Sequence, residues 1–193
     1  MDRESFWQIV ETARAEVDDT VEDADEVADA VVDSLIELSL AEIVGFELEL
    51  DKLQQESYRW DLWAAAYLIN GGCSDDSFDY FRGWLLAQGR EVWDAALVDP
   101  DSLASVVNPD PTEVRAECED MLDAAATAYE QVTGDDEGFW LALDAAAEAQ
   151  PEVEDSDRPK GENFDFDDPD EMRERLPLLS ALFLDPDDDL EEL

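Results

Sequence analysis

The sequence contains no histidine, only two lysines (Lys52 and Lys160) and only two cysteines (Cys73 and Cys118). Each scarcity excludes something. Without histidine there is no Ser-His-Asp triad, no Cys-His pair, no HExxH zinc motif and no imidazole pH switch. Two cysteines are too few for a disulfide framework. Eleven basic residues stand against 55 acidic ones, a formal charge of −44. That balance leaves no basic surface for phosphates or anionic lipid, so neither direct nucleic-acid binding nor membrane association is expected. The longest apolar run, Leu62 to Ile69, falls far short of a membrane span. The chain is charged from Asp2 onward, unlike a secretory leader. A cytoplasmic protein with reduced thiols is expected.

What is present argues for a folded chain. Of 193 residues, 45% are hydrophobic, with six Trp, eight Phe and four Tyr. Disordered acidic chains lack such residues. The length suits one domain. The acids are 31 Asp and 24 Glu, and nine of the 11 bases are Arg. Asp excess with Lys scarcity fits a protein of a salt-saturated cytoplasm, a halophile. At molar salt the Debye length is about 3 Å, so repulsion between carboxylates is screened. The rival reading of the charge is an acidic decoy, a DNA mimic whose carboxylates imitate phosphates.

The hydrophobic pattern is helical nearly throughout. Phe6, Ile9, Val10, Ala13 and Val17 recur at helical spacing, as do Val27, Val31, Leu35 and Leu38, then Ile43, Phe46, Leu50 and Leu53. The spacing predicts helices over 3–17, 22–38, 40–56, 60–69, 75–88, 90–98, 101–107, 111–132, 137–149 and 169–183. Ser39 and Glu42 fit a capping box. Asp99-Pro100, Asp110-Pro111, Asp168-Pro169 and Asp185-Pro186 each offer an Asp cap followed by Pro at the first helical position. Gly71-Gly72, Gly89 and Gly134 fall where helices should stop. Ala124 to Ala126 and Ala145 to Ala147 are expected as close-packed helix faces, and Cys118 as a small core residue. The fold class is therefore all-α, a single compact domain of nine or ten helices over 1–183. A polar loop near 151–167, pinned by Phe164 and Phe166, and an acidic tail over 184–193 complete it.

The charge is uneven. Residues 1–57 hold 18 acids and three bases, and residues 99–193 hold 31 and five. Residues 58–98 hold six and three, a net −3, together with four of the six Trp and three of the four Tyr. A surface accepts extra Asp readily, whereas a buried position pays heavily for an unpaired carboxylate. The window 58–98 is therefore core, site or both.

Within it, the run from Tyr58-Arg59-Trp60-Asp61-Leu62-Trp63 through Asn70-Gly71-Gly72-Cys73-Ser74-Asp75-Asp76 to Tyr80-Phe81-Arg82-Gly83-Trp84-Leu85 resembles the signature of the bacterial domain of unknown function 4240 family. The opening Met1 to Trp7 is similar to that family's start, and Asp165 to Pro177 is similar to its C-terminal region. The resemblance implies a stand-alone, largely helical domain and implies no activity. This chain departs from the family in its acid load outside the signature.

The residues also read on their own terms. Leu62 to Ile69 is apolar on nearly every side, which predicts a central helix. Ser74 or Asp75 can cap the next helix. Asp79 and Arg82 lie at i, i+3 and can pair, and Arg59 and Asp61 can join them. Three functional readings arise. Asp75, Asp76 and Asp79 could hold a divalent cation through oxygen, although no calcium-loop motif occurs. Cys73, close to a helix start, could act as a nucleophile with a lowered thiol pKa. A cleft lined by Arg59, Trp60, Asn70, Asp76, Tyr80 and Arg82 could receive a carboxylate, a phosphate or a peptide. The third reading predicts a binding module for a small ligand or protein partner, centred on the 70–77 loop and requiring no cofactor. Its residues are Arg59, Trp60, Asp61, Asn70, Cys73, Asp75, Asp76, Asp79, Tyr80 and Arg82. The alternative is an enzyme using metal or Cys73.

Overall fold

The computed structural model describes residues 1–107, 116–149 and 158–184. Among the described residues there are ten α-helices, one 3₁₀ helix and no strand. The helices are α1 (Arg3–Arg14), α2 (Ala24–Leu35), α3 (Leu40–Ser57), α4 (Trp60–Asn70) and α5 (Asp75–Ala87). They continue as α6 (Arg90–Val98), the 3₁₀ helix Pro100–Ser105, α7 (Asp120–Thr133), α8 (Asp136–Ala147), α9 (Pro169–Arg175) and α10 (Pro177–Phe183). The chain is all-α, as its periodicity predicts.

Local sequence explains most helix starts. The Ser39 backbone N–H and hydroxyl both donate to the Glu42 carboxylate, at 3.0 and 2.6 Å, and hold that carboxyl below its usual range. Ser74 caps α5 by accepting the Ser77 N–H at 3.2 Å. Asp99 and Asp168 cap the helices that begin with Pro100 and Pro169. The expected caps Asp110-Pro111 and Asp185-Pro186 lie outside the described residues, as do most of the tail and the first part of the polar loop.

Three predicted helices differ from the observed ones, and each difference is accompanied by a contact distant in sequence. Residues 101–107 were expected as an ordinary helix and instead form a 3₁₀ turn over Pro100–Ser105. Its Asp101 is buried and turns away from its own helix. The carboxylate accepts the backbone N–H groups of Leu178 and Leu179 at 2.9–3.0 Å and so caps α10. That remote cap accompanies a break in the predicted 169–183 helix at Leu176-Pro177, where proline removes an N–H and disfavours helical backbone before it. Finally, residues 111–115 of the predicted 111–132 helix lie outside the described residues, and 116–119 are not helical, α7 beginning at Asp120. Ala116 to Cys118 run as non-helical chain, bonded to Asn70 and Tyr80.

The core joins all these elements. Phe6 stacks on Phe46 with centroids 4.4 Å apart, and Trp84 and Trp93 are buried. Ala64, Ala65 and Ala66 of α4 are wholly buried, which lets its neighbours approach closely. α7 packs along α2 and against α3 and α5, and α8 packs on α3 and α7. Ala124 and Ala125 of α7 meet the expectation of a close-packed face. On α8 that expectation fails: Ala145 and Ala147 are exposed, because only Phe139 of this helix is buried.

Candidate functional site

The site begins with α4. Its spacing places Trp60, Trp63 and Tyr67 on one face, at i, i+3 and i+7, and all three are half-buried. Trp60 stacks on Trp63 at 5.6 Å, and Trp63 stacks on Phe78 at 4.8 Å with 9° between planes. Phe78 continues to Phe81 at 6.3 Å and Phe81 to Trp84 at 5.5 Å. Five rings thus form one stack from the molecular surface into the core. The Trp63 indole N–H donates to the Cys73 carbonyl at 3.0 Å and ties the stack to the 70–77 loop.

The polar-loop residues border the outer end of this stack and leave its rings half-buried. The Lys160 N–H donates to the Tyr58 carbonyl at 2.8 Å, and the Trp60 N–H donates to the Lys160 carbonyl at 3.0 Å. Phe166 lies against Trp60 at 6.2 Å and Tyr67 at 5.6 Å, and Phe164 lies 5.1 Å from Phe166. The Tyr67 hydroxyl donates to Asp167, which raises the phenol pKa. The two Phe rings therefore pin this loop as the sequence suggests.

The loop at the far end of α4 is built by its turn chemistry. Gly71 takes the left-handed conformation, φ +66°, that closes the helix. The Asn70 side chain then accepts the Ala116 N–H at 2.9 Å and donates to the Ala116 carbonyl at 3.3 Å. One amide reproduces the pairing of a neighbouring strand. The Cys118 N–H donates to the Tyr80 carbonyl at 2.9 Å, and the Tyr80 hydroxyl donates to Glu119 at 3.0 Å. Gly83 is needed here because a Cβ would lie 2.1 Å from the Cys118 carbonyl oxygen.

The ten sequence candidates separate into groups. Arg59 and Asp61 form a two-pronged pair, Nε to Oδ1 at 2.9 Å and Nη2 to Oδ2 at 2.5 Å, and Arg59 Nη1 donates to the Leu97 carbonyl at 2.9 Å. This pairing raises the Arg59 pKa. Asp79 and Arg82 pair with each other and not with Arg59 and Asp61. Arg82 is 7% exposed, donates to the Gln54 carbonyl at 2.6 Å, and lies 5.3 Å from the Tyr58 ring centroid and 5.0 Å from that of Phe78. Burial lowers its pKa and Asp79 opposes the shift. The guanidinium is an internal strut held through Nη1 and Nη2, while its buried Nε has no hydrogen-bond partner among the described residues. Asn70 and Tyr80 hold Ala116 to Glu119. Asp75 and Asp76 are exposed in the first turn of α5.

Two chemical readings meet obstacles. Burial pushes the Cys73 thiol up to about 12, with Glu117 adding to the shift. The thiol is therefore protonated near neutral pH, the reverse of an activated nucleophile. Among the described residues no three Asp, Glu or Cys side chains converge so as to hold a metal ion. Asp75, Asp76 and Asp79 share a short stretch of helix without forming a cage. Also among the described residues, no helix is long and apolar enough to cross a membrane.

Tyr58, Trp63, Tyr67 and Phe166 also belong to this face and are missing from the sequence candidates. The 60/63/67 spacing carried the signal.

A family model described as Protein of unknown function (DUF4240) matches residues 1–131. The chain belongs to that family. The matched stretch contains the whole of α4, the 70–77 loop and α5, and ends within α7. In this family member α8 and the 165–177 segment lie beyond the match. Neither curated proteins nor solved structures gave a match.

Proposed function

We propose that this family member works by binding, in the cytoplasm of a salt-rich cell, and that its binding face is the outer end of the α4–α5 ring stack with the 70–77 loop. The observation that carries this reading is the half-buried Trp60–Trp63 pair in the least acidic window of the chain. Aromatic rings that stay partly in water, backed by a rigid stack, offer a preorganised platform for a planar or apolar group. The Asn70, Cys73 and Asp75 end of the loop and the Arg59–Asp61 pair frame that platform on two sides. Arg82 and Asp79 support it from behind, Arg82 through Tyr58 and Phe78.

A thermal-shift screen in molar KCl tests the proposal with a panel of aromatic carboxylates and short tyrosine-bearing peptides. Compounds that stabilise the wild type are expected to lose that effect in Trp60→Ala. Stabilisation that is identical in wild type and Trp60→Ala for every active compound overturns this assignment of the face.

A further inference from the structure

A second surface differs from this one in every respect and lies on other helices. α8 shows solvent a Trp140 that is 55% exposed and a Leu141 that is 71% exposed, and Val132 of α7 and Leu40 of α3 are exposed too. Between the start of α3, α7 and α8 opens an apolar groove of about 300 Å³, lined by Leu40, Ala41, Val44, Tyr129, Ala142 and Ala146. Ala142 and Ala146 lie one turn apart, and their small side chains leave the space. The sequence is 34% charged, yet Gly138 to Ala147 contains one charge, Asp144. A chain that acidifies its surface so thoroughly has left this helix face apolar, and apolar patches of this kind mark contact surfaces.

The surrounding charge narrows the occupant. No Lys or Arg occurs from Ala15 to Asp51 or from Ala116 to Ala149. α2, α7, α8 and the first three turns of α3 are therefore free of cations. The same stretches are rich in carboxylates: residues 116–149 alone hold ten acids and no base. A second copy would bring these carboxylates against their own equivalents. A basic partner meets both features at once.

We propose that this groove docks a basic amphipathic helix of a partner protein, with apolar anchors between α3, α7 and α8 and its Lys or Arg toward the cation-free, acidic helices around the groove. The volume is at the lower end for ligand pockets, which suits a few anchor side chains rather than a whole cofactor. This inference is independent of the α4–α5 face.

Fluorescence anisotropy in molar KCl tests it, with a labelled amphipathic Leu/Lys peptide, a Leu/Glu peptide of the same pattern and a leucine-free Lys peptide. Long-range attraction to the −44 chain is screened under these conditions. The Leu/Lys peptide is expected to bind, and the other two to bind at least about tenfold more weakly. Ala146→Trp fills the groove without changing charge and is expected to weaken Leu/Lys binding about tenfold. Trp140→Ser, at an exposed position, gives a second variant with the same expected direction and little risk to folding. Equal binding by wild type and both variants overturns the proposal, as does equal binding of the Leu/Glu peptide. Sedimentation showing a dimer that Trp140→Glu dissolves also overturns it, in favour of a second copy as occupant.

Discussion

Two of the ionisable side chains that this molecule buries, Arg82 and Glu47, are treated in opposite ways. On the α4–α5 side, Arg82 is enclosed by the Asp79 carboxylate, the Gln54 carbonyl and the faces of Tyr58 and Phe78. On the α3–α7 side, Glu47 is 8% exposed, and one of its carboxylate oxygens has no hydrogen-bond partner among the described residues. The charges that act on it, Asp51 and Asp123, share its sign, and burial with their help pushes its pKa up to about 8. The difference follows from where the cations are. The α4–α5 region has Arg59, Arg82 and Arg90, whereas the lengths of chain forming α2, α7 and α8 have none. A fold can hide a charge cheaply where an opposite charge or an ordered dipole is within reach, and must otherwise neutralise it by protonation.

Salt gives the largest test of this contrast. Removing KCl lengthens the range of carboxylate repulsion from about 3 Å at molar salt to about 10 Å at 0.1 M. Repulsion then grows most where no cation interrupts the acids. The melting temperature is expected to fall by more than about 10 °C between molar and 0.05 M KCl, since each kcal/mol is worth about 2–4 °C in a chain of this size. Hydrogen exchange at the lower salt should show α2, α7 and α8 opening before α4 and α5. Uniform loss of protection would erase the distinction between the two sides, and an unchanged melting temperature would remove the salt-adaptation reading as well.

Glu47 supplies the next largest effect, and pH isolates it. Its carboxyl ionises near 4.5 in an unfolded chain and near 8 in the folded one. Between these values the unfolded chain has released a proton that the folded chain keeps. Folding therefore takes up a proton, and stability falls as pH rises from about 4.5 to about 8, then levels. Glu47→Gln removes the titration. At pH 8 the variant is expected to be more stable than wild type by on the order of 3 kcal/mol, because the amide pays part of the gain back in its own unpaired groups. At pH 4.5 that advantage is gone, and the amide's own unpaired groups should leave the variant slightly less stable than wild type. Denaturant unfolding at fixed molar KCl measures both. A Glu47→Gln advantage that is the same at both pH values would show that Glu47 is not kept neutral by its surroundings.

The same contrast explains what could be read from the sequence. Helices whose caps lie within four residues were legible: Ser39 with Glu42, Ser74 with Ser77, and Asp168 with Glu171 all act as their spacing predicts. Asp79 and Arg82 were legible as a pair because one helix turn brings them together. What failed was set by partners distant in the chain. The non-helical 116–118 segment depends on an Asn70 amide 46 residues away and on the missing side chain of Gly83. The split between α9 and α10 involves Asp101, 77 residues before Leu178. The burial of Arg82 needs Gln54 and Tyr58 from outside its own helix. On α8 the pattern Ala145 to Ala147 looks like a packing face, and composition alone cannot say that Ala145 and Ala147 stay exposed among the described residues.

Arg82 predicts a smaller loss, of opposite sign to the Glu47 gain. Arg82→Met keeps an apolar stem against Tyr58 and Phe78 but gives up the charge, the ring contacts of the guanidinium and the bond to the Gln54 carbonyl. Asp79 is half-exposed and returns to water, so no buried charge is stranded. The expected cost is about 2 kcal/mol in denaturant unfolding. A neutral or stabilising Arg82→Met would place Arg82 with Glu47, as a buried charge that its surroundings do not repay.

Asp79→Asn is the smallest test and decides what holds Arg82 in place. The Asp79 side chain is 51% exposed while that of Arg82 is 8% exposed, so water competes for one end of the pair only. Exposed and half-exposed pairs contribute little and are weakened further by salt. Asparagine keeps an oxygen that can accept from the guanidinium. The expected cost is below about 1 kcal/mol at low salt, shrinking toward zero in molar KCl. If Asp79→Asn costs as much as Arg82→Met, the ion pair alone holds the guanidinium, and the rings and the Gln54 carbonyl add nothing. The two sides of the molecule would then differ only by the presence of one carboxylate. If the cost stays small and salt-sensitive, Arg82 is held by neutral neighbours that Glu47 lacks, and the contrast lies in how each side was packed.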